Sequence, residues 1–228
     1  MANFVVSGTP HVRSKESIQS IMRDVIIALV PATAAGIYYF GINALILVIA
    51  AIASAVAFEA ICQKVMKKPV TVSDLSAVVT GLLLAMNLPA TAPVWVAIVG
   101  SAFAIIFGKQ LFGGLGQNFI NPALAGRAFL LASYPTEMTT WSVPNGLEVA
   151  DAATYATPLA QLKAGALDAN LVDLMLGKCG GTIGETCALA LILGFIYLVV
   201  RKVIKWYVPV AYVATTFLCY VVFKHCCF

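Results

Sequence analysis

The stretch TVSDLSAVVTGLLLAMNLPATAP, residues 71–93, decides what kind of helical protein this chain is. Thr71-Val72-Ser73-Asp74 is a helix start, with Ser73 or Asp74 placed to cap the first free N–H groups. The run that follows is apolar as far as Asn87 or Leu88, where Pro89 and Pro93 stop it. About 15 residues at ~1.5 Å each span ~22 Å, short of the ~30 Å hydrocarbon core of a bilayer. An apolar helix too short to cross, framed by longer apolar runs, predicts a broken helix within a membrane bundle. Bilayers tolerate interrupted backbone only where protein or a water-filled cavity covers it.

Composition agrees. Of 228 residues, 61% are hydrophobic and 11% charged, with mean hydropathy +0.94. Soluble domains carry roughly 25% charged residues, so an ordinary soluble fold is excluded. Continuous rather than alternating apolar runs exclude a barrel, leaving an all-α polytopic membrane protein. The net charge of +4 is no sign of nucleic acid; its value is topological. Residues 1–24 are polar and amphipathic, carry Arg13, Lys15 and Arg23, and contain no signal-peptide pattern.

Outward from residues 71–93, about seven spans are expected. Two precede it, Val25 to Tyr39 (bent at Pro31) and Ala44 to Cys62, the second ending in the basic loop of Lys64, Lys67 and Lys68. Val94 to Phe107 crosses back and ends at Lys109. Glycines at 113, 114 and 116 then lead to Asn121-Pro122, an N-cap followed by proline at the first helical position. That short helix, Ala123 to Tyr134, carries Arg127. A long polar segment, 135–180, separates it from Ile183 to Val200 and Trp206 to Phe223. The positive-inside rule puts the N-terminus and every basic cluster in the cytoplasm and segment 135–180 outside, with Glu137, Glu148, Asp151, Asp168 and Asp173.

Most candidate residues carry a structural reading beside a functional one. Gly113, Gly114, Gly116 and Asn121 fit a tight interhelical turn, or a cavity lining in which a helix N-terminus faces an anion. Arg127 is costly at membrane depth; its partner is a cofactor phosphate, Glu59, Asp74 or another subunit, or it snorkels. Glu185 fits the favoured acid at a helix start, and Asp74 an N-cap. The six cysteines, at 62, 179, 187, 219, 226 and 227, form no CxxC pair, and their spacing supports neither zinc, a cluster nor a disulfide framework. His11 and His225 stand alone, so no metal site and no catalytic residue is predicted. The Asp151-Ala152-Ala153-Thr154-Tyr155-Ala156-Thr157-Pro158-Leu159 stretch, taken alone, is a surface turn.

Five stretches taken in order change that. They are Ser76 to Ala85, Phe112 to Asn118, Asn121-Pro122-Ala123 with Gly126 to Leu131, Asp151 to Leu159, and Gly181 to Thr186. Together they resemble the RnfD subunits of the ion-translocating ferredoxin:NAD+ oxidoreductase (Rnf) complex, related to NqrB of the sodium-pumping NADH:quinone reductase. The resemblance implies FMN joined by a phosphoester to the last threonine of a Ser/Thr-Gly-Ala-Thr-type motif. Here that acceptor is Thr157, with Thr154 the first hydroxyl, Asp151 the upstream acid, and Tyr155 where the family commonly has glycine. Tyr155 either crowds the acceptor or stacks on the isoalloxazine, and Arg127 and Asn121 are carried as further cofactor contacts. A flavin transferase is expected to make the bond outside the cytoplasmic membrane. The other implied partners are further Rnf subunits, above all an RnfG-like flavoprotein, and the lipid bilayer.

The resemblance also implies ten helices in two five-helix repeats. On that scheme 1–24 is a cytoplasmic lead, 25–134 the first repeat, 135–180 the flavin loop and 181–228 an incomplete second repeat. The expected role is a membrane electron-transfer subunit of a Na+- or H+-translocating oxidoreductase, without a nicotinamide or ferredoxin site of its own. Two alternatives stay open: a secondary transporter or channel, because short broken helices also mark midplane substrate sites, and an inactive truncated fragment.

Overall fold

The computed structural model describes residues 17–142, 171–177 and 179–226. Its regular structure is helical: α1 Ile18–Phe40, α2 Ile42–Val65, α3 Ser76–Met86, α4 Val94–Ile105, α5 Pro122–Ser133, α6 Pro135–Thr139, α7 Leu171–Leu176, α8 Ala188–Val200 and α9 Tyr207–Cys226. Among the described residues, only α1 and α2 are long and apolar enough to cross a membrane unaided, at 23 and 24 residues. At ~1.5 Å per residue they reach ~35 Å, whereas the 11 residues of α3 reach ~16 Å. The broken helix expected at 71–93 is therefore present. Helices α4, α5 and α8 are also short, at 12 or 13 residues, so the described fold is all-helical with α1 and α2 its clear membrane-length spans.

Each helix begins and ends for a local reason. Ser17 and Ser20 cap α1 reciprocally, and α1 continues through Pro31 to Gly41, whose φ of +72° turns the chain straight into α2. The start of α3 is Asp74: its Oδ1 accepts from Ser76 N at 2.9 Å, while Leu75 sits in the left-handed region. Asn121 accepts from Ala123 N at 3.0 Å and Pro122 opens α5, as its sequence predicts. Past Ile105, α4 widens into a π-helical stretch, Ile106–Gln110, before the Gly113-Gly114-Gly116 turn, where all three φ values are positive.

Packing is by small residues. The buried stripe of α2 is Ala44, Leu47, Val48, Ala51, Ala55, Glu59 and Gln63, a helical spacing of three and four. Close approach of α3 depends on Gly81, where a Cβ would lie 2.7 Å from the Ala51 carbonyl oxygen and 2.8 Å from Ile52 Cα. The same Ala51 carbonyl accepts from Ser101 Oγ of α4 at 3.1 Å. Phe103 of α4 stacks on Phe129 of α5 with centroids 4.2 Å apart. The outer faces remain apolar and exposed, with Ile49 58%, Leu193 61% and Phe217 67% accessible, as lipid-facing residues are.

Sequence reading misplaces two boundaries: α1 begins at Ile18, seven residues before the expected Val25, because Ser17 caps it, and the second lies at Ile183. The run from Ile183 is not the start of a helix. Residues 181–186 form a turn that plugs the bundle, and α8 begins only at Ala188, after Cys187. Ile183 N donates to Leu88 O and Gly184 N to Met86 O, so the turn replaces the partners that α3 loses where it stops. Glu185 consequently lies in this turn and not in a helical first turn.

Candidate functional site

The basic loops at Lys64 to Lys68 and Arg201 to Lys205 lie at one end of the bundle, the end to which Gln19–Ser73, Gln63–Thr71 and Asp24–Arg201 contacts tie them, and the polar features of the fold divide between that end and the other. At the basic end a charged cluster is buried among α2, α3 and the π-helical stretch. Lys109 Nζ lies 2.6 Å from Glu59 Oε1, and their side chains are 3% and 1% exposed. Gln110 Nε2 donates to the same oxygen at 2.9 Å and Gln63 Nε2 at 3.3 Å. Lys109 Nζ also donates to Ser76 Oγ at 2.6 Å, and that hydroxyl donates to Asp74 Oδ1 at 2.5 Å. Thr71 closes the ring, donating from its N–H to Gln63 Oε1 and accepting on its hydroxyl from Gln63 Nε2, each at 2.9 Å.

A carboxylate and an ammonium removed from water survive only when paired and hydrogen-bonded. Here Glu59 Oε1 accepts three donors, while Oε2 is buried without a partner among the described residues. A cavity of about 190 Å³ opens beside it, lined by Glu59, Gln63, Lys68, Asp74 and Gln110. Lys109 faces a second cavity of about 390 Å³, bounded by Ser76, Thr80, Asn118, Asn121 and Pro122. The ion pair thus stands between two chambers, its carboxylate on one and its ammonium on the other. The π-helical turn is what aims both Lys109 and Gln110 inward, and such turns concentrate at functional positions.

Arg127 lies further along α5. Its Nη1 donates to Asn87 Oδ1 at 2.8 Å, and Asn87 in turn donates to Leu83 O at 2.7 Å. Glu59 is taken by Lys109 and Asp74 by Ser76, so neither is the partner of Arg127. Asn121 serves as N-cap and as cavity lining at once, the combination its sequence allows. Asp151, Thr154, Tyr155 and Thr157 lie outside the described residues.

At the opposite end, Thr91 Oγ1 donates to Thr140 O at 2.6 Å and Tyr39 Oη donates to Leu176 O at 2.7 Å. These bonds fix both flanks of residues 143–170. Cys179 lies here, and burial, then the neighbouring Glu185 and Cys187, hold its thiol above the ordinary thiol range. The 181–186 turn and α8 together join α1 at three heights. The Ile183 carbonyl packs against Gly36, the Ala28 carbonyl against Gly194, and Asp24 takes Tyr197 Oη at 3.2 Å and Arg201 Nη2 at 3.1 Å.

The Lys109–Gln110 side of the cluster and the Asp24 pair are what sequence reasoning missed. The available signal was a charge within an apolar run: Asp24 inside α1, Glu59 inside α2 and Lys109 at the end of α4.

Comparison with known proteins matches residues 5–227 to the NQR2, RnfD, RnfE family. The chain is 54% identical to a subunit of the Na+-translocating ferredoxin:NAD+ oxidoreductase complex of Acetobacterium woodii, over 93% of this chain and 67% of that protein. It is 44% identical to the corresponding subunit of the proton-translocating complex of Clostridium ljungdahlii, with 93% and 67% covered. It is 39% identical to the equivalent subunit of the ion-translocating oxidoreductase complex of Stutzerimonas stutzeri, with 88% and 66% covered. The chain therefore spans about two thirds of the length of these relatives. With that coverage, and with the broken helices and small-residue packing the family motifs foretell, the chain belongs to the NQR2, RnfD, RnfE family of membrane proteins.

Proposed function

We propose that this chain is a membrane electron-transfer subunit of a redox-driven, Na+- or H+-translocating ferredoxin:NAD+ oxidoreductase, with FMN held in phosphoester linkage on Thr157. The relatives' names supply the class of complex, and the ordered motifs supply the acceptor. The observation that carries the reading is the pair of flanks at Thr140 and Leu176. Both ends of the segment containing Thr157 leave the bundle at the end opposite the basic loops. With the basic end in the cytoplasm, the attachment segment is extracytoplasmic, where a flavin transferase and an RnfG-like flavoprotein subunit meet it.

FMN, when attached, supplies one- and two-electron chemistry at that face. The chain's own residues supply placement. Small sequence neighbours and Pro158 give a transferase room at Thr157, Thr154 and Asp151 precede it, and Arg127 offers a cation within the bundle. Ion movement belongs to the other end, where buried Glu59 and Lys109 and half-buried Asp74 stand beside two chambers. A tethered flavin and a buried charge cluster at opposite ends are the two parts a redox-driven translocator requires. The sites for NAD and ferredoxin belong to other subunits.

The test is in-gel fluorescence of the denatured protein after coexpression with a flavin transferase. The wild-type band fluoresces and Thr157→Ala abolishes the signal without loss of protein. A transporter with no redox role leaves the wild-type band dark, and a dark band under those conditions sinks the proposal.

A further inference from the structure

The turn between α7 and α8 brings the Cys179 sulfur against the backbone that leads into Cys187. Cys179 Sγ is 3.9 Å from the carbonyl oxygen of Thr186, whose carbon is bonded to the nitrogen of Cys187. The backbones of the two arms touch. Gly177 adopts φ +98°, and a Cβ there would stand 2.8 Å from the Thr186 oxygen and 3.0 Å from its carbonyl carbon. Both cysteines are half-buried, and neither lies within a helix: Cys179 is in the bend after α7, and Cys187 is the extended residue before α8, with φ −105° and ψ 99°. Because both lie in irregular backbone, any loop adjustment that disulfide geometry demands falls on the turn and not on a helix.

The turn they bracket matters to the whole bundle. It carries Ile183, fully buried, into the gap between Gly36 of α1 and Leu88 beyond α3. We propose that Cys179 and Cys187 form a thiol pair that closes to a disulfide and locks this plug in place.

The oxidant is a small disulfide, R–S–S–R. The Cys187 thiolate attacks one of its sulfurs, forming a mixed disulfide and releasing R–S⁻; the Cys179 thiolate then displaces the second R–S⁻. One S–S bond is lost and one gained, both cysteine S–H protons pass to solvent or to the departing thiolates, and two electrons reduce the oxidant to two thiols. Burial disfavours the Cys179 thiolate, so Cys179 acts second, as the resolving sulfur. The spacing alone, eight residues apart, indicates none of this; the touching arms of the turn do.

The full chain in native membranes is treated with oxidised glutathione, blocked with N-ethylmaleimide and cleaved with trypsin. Cleavage after Lys178 and Arg201 releases both cysteines on one fragment. The expected fragment is two hydrogens lighter than the reduced form and carries no adduct. Ring closure in the folded chain should outpace closure in detergent-denatured chain by on the order of tenfold, as held proximity requires. In Cys179→Ser, Cys187 should accumulate as the stable glutathione mixed disulfide, whereas in Cys187→Ser, Cys179 should stay largely a free thiol. Two maleimide adducts on the oxidised wild-type fragment overturn the proposal. So does equal closure in folded and denatured chain, or equal glutathione capture by the two single variants.

Discussion

Glu59 and Lys109 show what one residue pair can decide in this fold. Fifty positions apart in sequence, they meet at 2.6 Å in a place with almost no water. Removing one partner leaves the other as an unpaired buried charge, a change that costs about 3–5 kcal/mol in comparable sites. Lys109→Met should therefore lower thermal stability in detergent sharply, and adding Glu59→Gln should restore most of the loss, because the pair's own net contribution is small. A double variant no more stable than Lys109→Met would show that Lys109 acts through Ser76 and the π-helical turn instead. Each residue is visible in the sequence as a charge at the edge of an apolar run. Their meeting is not, since it follows from how α2 packs against α4, which no local pattern encodes.

At the scale of elements, the sequence is legible wherever a helix boundary is set by backbone chemistry. Pro89 stands just past the end of α3, Pro93 caps the start of α4, and Asn121-Pro122 begins α5, because proline and a capping amide act on their immediate neighbours. Ile183 is misread for the opposite reason. Hydropathy records that an isoleucine is buried but not whether lipid, helix or a plugging turn buries it. The proposed flavin attachment rests on family resemblance alone, since Thr154 and Thr157 have no local feature that separates them from turn hydroxyls. The contact of α3 with α2 gives an element-scale prediction. Gly81→Val places methyl groups where the Ala51 carbonyl and Ile52 already stand. Overpacking of this kind costs about 1–3 kcal/mol. The thermal midpoint should fall accordingly, while Ala77→Gly, at a buried position in the first turn of α3, should cost only about 1 kcal/mol. Equal losses at the two positions would remove Gly81 from its role as the point of closest approach.

For the whole molecule, the distribution of charge predicts orientation. The basic loops lie at one end, and the flanks of the 143–170 segment lie at the other. In a background with the native cysteines replaced, a membrane-impermeant maleimide added to intact cells should label Thr140→Cys. It should leave Lys67→Cys untouched until the cells are opened. The reverse pattern would invert the topology and overturn the proposed extracytoplasmic flavin site with it. The three-point junction of α1 with the 181–186 turn and α8 has a mechanical consequence. Gly36 and Asp24 are 12 residues apart on α1, about 18 Å, so the plug and the Asp24–Arg201 pair are moored to the two ends of one uninterrupted helix.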